Sequence, residues 1–178
     1  MSMTTIVTIV LVVVTLVLAL VLIRTIFSSS TNAIDQVSNA IQDQINQLFT
    51  SGNENLIVYP TTNVITLSKG DTTPRGFAFS VKNSDPNPAT FTWGVQATDV
   101  HNCGSATVAQ VQQYLISSHG SFSLNGGDIS SAQGSRVLLD TSSASPCTIT
   151  FLLSVNETLQ GSATSVPFNS QNVYVKIQ

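Results

Sequence analysis

The chain has 178 residues, a net charge of −3 and a pI near 5.0, and only 8% of its residues are charged. Nucleic-acid binding needs clustered Lys and Arg side chains, whereas the six basic residues are scattered along this sequence. We therefore exclude nucleic acid as a partner. Because the charged fraction is far below the usual ~25%, Ser, Thr, Asn and Gln must form most of the polar surface, as is common in extracellular β-domains.

The first element is an apolar run, Ile6–Ile23, without charge, Pro or Gly. As a helix, residues 1–23 would be roughly 35 Å long, enough to cross a bilayer. The run lacks the preceding basic residues and the small-residue cleavage site of a secretory signal. In a simple anchor with an external head, the basic residues should lie on the N-terminal, cytoplasmic side of the apolar run, whereas Arg24 lies on the side of the head. A basic leader removed before Met1 would resolve this conflict.

An amphipathic stretch from Asn32 to Phe49 follows, with apolar residues at three- and four-residue steps. Because no Pro or Gly occurs before Gly52, we predict one helix from about Thr4 to Phe49, near 70 Å long. The alternative is two helices separated by the polar residues Ser28–Thr31. The side chains expected to pack between helices are Ile6, Ile9, Val10, Val13, Leu16, Val17, Leu20, Ile23, Ile34, Val37, Ile41, Ile45 and Leu48.

After Gly52 the hydrophobic period changes to two, which predicts seven or eight strands separated by turns. The stretch Thr107–Ile116 is ambiguous between helix and strand. We therefore predict an α+β protein, in which a long N-terminal hydrophobic and amphipathic α-helix (1–50) precedes an immunoglobulin-like antiparallel β-sandwich (51–178). Trp93 precedes the first cysteine, which departs from the Cys–Trp–Cys order of antibody domains.

Two cysteines, Cys103 and Cys147, lie in the predicted head. An even pair outside a membrane segment favours one disulfide in an oxidising compartment over two buried free thiols. Asn156 begins an N-x-[ST] sequon and is a candidate N-glycosylation site if the head is exported.

Residues suited to catalysis are few. His101 and His119 are the two histidines, and both lie in polar loops that we interpret as surface. No nucleophile, phosphate-loop or calcium-loop motif occurs, and one His beside one Cys falls short of a tetrahedral zinc site. The Asp residues lie beside turns, where they cap the backbone or, alternatively, form a calcium clip. We predict no enzyme, no cofactor, no bound metal and no small-molecule substrate.

The order of the apolar helix, MSMTTIVTIVLVVVTLVLALVLI, the amphipathic continuation TNAIDQVSNAIQDQINQLF and the β-rich head resembles the archaeal type IV pilin and archaellin superfamily. That resemblance implies a leader cut by a prepilin peptidase, insertion in the cytoplasmic membrane, and assembly by dedicated machinery there. It also implies a filament with the helices in its core and the heads outside. Bacterial-type pilins usually carry Glu at the fifth mature position, whereas this chain has Thr5, which favours the archaeal branch.

The sequence thus predicts a structural subunit of an extracellular, pilus-like helical homo-oligomer that serves adhesion or cell-surface contact. In such a filament neighbouring subunits would bury both the apolar run and the stripe Ile34–Leu48. The alternative is a monomeric single-span surface protein that displays its head as a binding domain. A minor pilin or secretion pseudopilin is a third interpretation, and a motility filament stays open within the first.

Overall fold

The computed structural model describes residues 12–17, 39–52, 54–132 and 135–178. The chain divides into two compact units, Met1–Thr31 and Asn32–Gln178. In the first unit, residues 12–17 are helical. The second contains helices α1 (Asn39–Ser51) and α2 (Val108–Gln112) and strands β1 (Leu56–Tyr59), β2 (Val64–Leu67), β3 (Arg75–Val81), β4 (Ala89–His101), β5 (His119–Leu124), β6 (Arg136–Leu139), β7 (Cys147–Leu159) and β8 (Val166–Ile177).

The predicted fold class, α+β with one long N-terminal helix, is wrong. Strand is the main secondary structure of the described chain, and its helical residues before β1 form two short helices, 12–17 and Asn39–Ser51. The division between the two units falls directly after Ser28–Thr31 in the sequence, and Ser and Thr are residue types with a lower intrinsic preference for helix. The predicted division into 1–50 and 51–178 stays a prediction, although α1 belongs to the unit that holds the strands.

The strands form two sheets, with the orders β1-β3-β6 and β2-β8-β7-β4-β5. All pairs are antiparallel except β2 and β8, which run parallel, so the prediction of an antiparallel head fails at this pair. In β4 the apolar residues Phe91, Trp93 and Val95 point inward and alternate with exposed polar ones. The inward side chains of both sheets form one buried core, which makes the two sheets a sandwich.

Helix α1 forms a third layer, because it packs on the outer face of the three-stranded sheet. Ile45 and Phe49 of α1 contact Ile57 of β1 and Ala78 of β3 in a second apolar cluster. The Oε1 atom of Gln42 accepts a hydrogen bond of 2.8 Å from the backbone N–H of Ala132, which lies between β5 and β6. This cover explains why β3 is buried on both faces.

Helix α2 resolves the ambiguous stretch in favour of one short helix. At its start the Oε1 atom of Gln110 accepts a hydrogen bond of 2.8 Å from the backbone N–H of Thr107. Near its end Gln112 binds the backbone of β4, accepting from the N–H of Ala97 at 2.6 Å and donating to the carbonyl of Val95 at 3.1 Å. Gln112 thus binds the strand just before its register shift at Ala97 and Asp99.

Candidate functional site

The helical segment 12–17 presents its apolar side chains to the outside. Val12 is 64% exposed and Leu16 is 60% exposed, and Val13 and Val17 are each about half exposed. Its one polar side chain, Thr15, donates a hydrogen bond of 2.9 Å from Oγ1 to the carbonyl of Val12. A hydroxyl that is satisfied inside its own helix costs little to bury, so this segment can enter an apolar environment.

Three predicted packing residues, Val13, Leu16 and Val17, lie on this segment. Seven others, Ile6, Ile9, Val10, Leu20, Ile23, Ile34 and Val37, lie outside the described residues, and their roles stay predictions. None of the helices in the described ranges is long and apolar enough to cross a bilayer.

The stripe on α1 has a different environment from the segment 12–17. Ile45 is fully buried and Ile41 partly buried in the cluster that joins α1 to the strands, whereas Leu48 is 38% exposed. Phe49, absent from the predicted set, is 1% exposed and completes the buried face. The four-residue spacing of Ile41, Ile45 and Phe49 is the signal that could have identified this face, since such residues share one side of a helix.

The predicted disulfide is confirmed, because Cys103 and Cys147 are bonded and their Cα atoms lie 4.4 Å apart. Both cysteines are buried, and the bond joins the loop that follows β4 to the first residue of β7. It therefore fixes one end of the five-stranded sheet. Such a bond is consistent with an oxidising, extracellular location.

The candidate glycosylation residue, Asn156, is exposed on β7, at the point where the register with β8 shifts. Its neighbour Glu157 is partly buried, and this burial, together with the negative charge of Asp85, raises the pKa of the Glu157 carboxyl. Asn156 itself is exposed to solvent, as a glycosylation acceptor must be.

The histidines and carboxylates do not assemble into a site. Nε2 of His101 lies 2.7 Å from Oδ2 of Asp99, with both side chains more than half exposed. His119 is exposed at the start of β5. The turn carboxylates bind local backbone: Asp71 accepts from the N–H of Thr73, and similar bonds form at Asp85 and Asp140. Within the described ranges, no three or more His, Cys, Asp or Glu side chains are grouped to hold a metal ion.

A buried polar residue that the sequence did not reveal organises one end of the sandwich. Asn83 is fully buried, and its Nδ2 donates to the carbonyls of Asn87 at 2.9 Å and Asn125 at 3.1 Å. Its Oδ1 accepts from the N–H of Asp85 at 3.0 Å. All these partners lie in loops beside Asn83, so the residue has a structural role in joining two turns.

The chain was compared with protein-family models and with curated proteins, and neither comparison found a match. The resemblance to archaeal pilins therefore rests on the layout of the sequence alone.

Proposed function

We propose that this protein is the structural subunit of an extracellular helical filament, in which copies of the chain assemble through the apolar N-terminal segment Ile6–Ile23. The proposed role of the filament is adhesion or contact at the cell surface. The observation that carries the proposal is the exposure of the wholly uncharged segment around Val12 and Leu16.

The β-domain supports this proposal because it has apolar clusters of its own. In the described chain, neither apolar cluster contains a residue that precedes Ile41. Burial of a large aliphatic side chain is worth about 1.5–3 kcal/mol relative to its exposure, so the segment gains strongly from any apolar partner. In a filament, that partner is the same segment in neighbouring copies.

The lack of charge before Arg24 also fits assembly. An unpaired charge in a water-free helical bundle costs several kcal/mol, and no residue of this segment carries one. The head carries few charges, so hydroxyl and amide groups form most of its polar surface, which suits an extracellular domain. Disulfides persist in oxidising compartments, so the Cys103–Cys147 bond suits the same location.

A single-span surface protein is the second candidate, and one observation favours it. Ile45 and Phe49 are buried by the chain's own strands, so α1 does not require neighbouring copies for the burial of that face. Lipid would then be sufficient to bury the segment Ile6–Ile23, and the β-domain would be displayed as a monomeric binding module.

The test is substitution in the exposed segment, with a matched change on the head. Val13→Asp and Leu16→Lys place a charge in the segment, whereas Ile116→Lys places one at a side chain of the head that is 56% exposed. We expect negative-stain electron microscopy of surface structures sheared from cells to show filaments for the wild type and Ile116→Lys. Filaments should be absent for the other two variants.

Mass spectrometry of the sheared material identifies this chain in the filaments. Normal filaments from Val13→Asp or Leu16→Lys would refute assembly through the segment. Recovery of the wild-type chain from detergent-extracted membranes, with no filaments on the cells, would establish the single-span alternative.

A further inference from the structure

Strand β5 is the outer strand of the five-stranded sheet, and it pairs only with β4 in the described chain. The N–H of Val95 donates to the carbonyl of Ser118 at 2.7 Å, which sets the alternation of the antiparallel ladder. By that alternation Gly120 and Phe122 bond to β4, while the backbone N–H and C=O groups of Ser121 and Ser123 point away from it. These outward groups are a template for another strand.

The edge of β5 lacks the features that usually prevent pairing with another chain. Natural sheets protect their edges with Lys, Pro, bulges or a covering element. The sequence of His119–Leu124, HGSFSL, contains neither Lys nor Pro. Its pairing with β4 runs without a register shift, unlike the pairings of β7 with β4 and β8. The edge therefore contains neither of these residues and shows no bulge in its pairing with β4.

A groove of about 330 Å³ lies beside this edge, lined by β5, by Trp93 and by the serines Ser130, Ser131 and Ser135. None of the described residues that line it is charged. Trp93 is nine-tenths buried, and its ring lies so close to Gly120 that a Cβ there would be 2.8 Å from Nε1. The indole ring of Trp93 therefore forms one wall of the groove beside Gly120.

Strand β2 is the opposite edge of the same sheet. It pairs with β8 through Asn63, whose carbonyl accepts from the N–H of Tyr174 at 2.7 Å, and through Leu67, whose carbonyl accepts from the N–H of Gln178 at 2.9 Å. Parallel pairing uses alternate residues, so the backbone N–H and C=O groups of Thr66 point outward. The strand has the sequence VITL, without charge, and Val64 is 41% exposed.

We propose that heads of neighbouring copies pair edge to edge, with β2 of one copy added to β5 of the next. The two edges match in charge, because both are neutral, and each supplies outward backbone groups for the other. The added strand would also lie along the groove beside Trp93. Addition of a strand to a sheet edge is a common recognition mode.

Such a contact joins two different surfaces, so each copy keeps one open edge and can add another copy. A contact of this kind gives an open helical array unless the rotation happens to close a ring, and the twist between paired strands supplies the rotation. The inference deepens the proposed function, on which it rests, by naming the surface through which heads meet outside the apolar core.

Cysteine cross-linking on intact cells tests the contact. The chain has two cysteines and both are bonded to each other, so introduced thiols report cleanly. Ser121, Ser123 and Thr66 lie on the outer face of the sheet by their alternation. Facing residues of paired strands have Cβ atoms about 4.5–5.5 Å apart, close to disulfide geometry. The double variants Ser121→Cys/Thr66→Cys and Ser123→Cys/Thr66→Cys sample neighbouring registers.

We expect at least one double variant to give a ladder of covalent oligomers on a non-reducing gel, and each single variant to remain monomeric. Dimers from Ser121→Cys alone would overturn the proposal in favour of β5–β5 pairing. The absence of a ladder from both double variants overturns it too, whatever partner then occupies the edge. Electron microscopy of the same cells separates the two proposals, since filaments without cross-links leave the proposed function standing while the edge contact fails.

A proline substitution checks that backbone pairing holds the contact. Ser121→Pro, added to Ser123→Cys/Thr66→Cys, removes an outward N–H and no hydrogen bond to β4, and proline is tolerated at such edge positions. We expect the ladder to be lost, while the unfolding transition followed by Trp93 fluorescence stays unchanged. An undiminished ladder in this folded variant would overturn strand addition.

Discussion

Replacement of Ile45 by Ala tests whether α1 is a layer of the β-domain. Ile45 is fully buried against the three-stranded sheet, and the substitution removes three carbon atoms, worth about 2.4 kcal/mol at about 0.8 kcal/mol per methylene. The cavity left behind adds roughly 1 kcal/mol or more, since each Å³ costs about 24 cal/mol. We therefore expect a loss of about 3–4 kcal/mol in the free energy of unfolding.

Leu48→Ala is the matched control, because it removes the same number of carbons three residues further along the same helix. Leu48 is 38% exposed, so we expect a loss of about 1–1.5 kcal/mol from the transfer term alone. The assay is guanidinium unfolding of the full chain, dispersed in detergent, followed by the fluorescence of Trp93, the single tryptophan.

The expected result is a lower unfolding midpoint for Ile45→Ala than for Leu48→Ala, with the same denaturant slope. Equal losses for the two variants would contradict the burial of Ile45 by its own strands. The burial of Ile45 by its own strands would also be contradicted if Ile45→Ala left the stability of the detergent-dispersed chain unchanged and lowered it only in filaments. Neighbouring copies would then bury the stripe.

Three further predictions concern the head. Cys103→Ser should lower the free energy of unfolding by about 2–4 kcal/mol, and denatured wild-type protein should show no titratable thiol. Asn83→Ala should cost about 2–3 kcal/mol in the same unfolding assay, because three carbonyl and amide groups in the adjoining turns lose a buried partner; an unchanged midpoint would contradict the network. Burial raises the pKa of Glu157 above its ordinary value of 4.5, so the charged form destabilises the fold at neutral pH. Glu157→Gln should therefore raise the melting temperature at pH 7, with the gain vanishing as the pH falls below 4.5; an unchanged melting temperature at pH 7 would contradict this effect of burial.

Part of the five-stranded sheet could be predicted because β4 and β7 alternate strictly between inward and outward residues over most of their length. The inward positions of β4, from Phe91 to Val95, and those of β7, from Cys147 to Val155, follow from a period of two. The disulfide followed from an even pair of cysteines. Alternation is a property of residues that are neighbours in the sequence, and two cysteines can form only one intramolecular disulfide.

The long helix could not be judged in the same way, because a helical period does not say what covers its apolar face. The stripe through Ile41 and Ile45 suits a neighbouring copy as well as a sheet, and only the position of Ile57 and Ala78 decides between them. The parallel pairing of β2 with β8 could not be predicted either, because a hydrophobic period of two is the same in parallel and antiparallel strands. The groove at Trp93 escaped prediction because it depends on a glycine, Gly120, on another strand.

The parallel pairing of β2 with β8 has a consequence for the order of events during synthesis. Val64 pairs with Tyr174, so β2 can enter its sheet only after the chain has been synthesised as far as β8. Contacts between such distant residues make folding slow, and β8 lies inside the sheet order, between β2 and β7. The five-stranded sheet therefore stays incomplete until β8 has been synthesised, so the pairs β2–β8 and β7–β8 are among the last contacts that the domain can form.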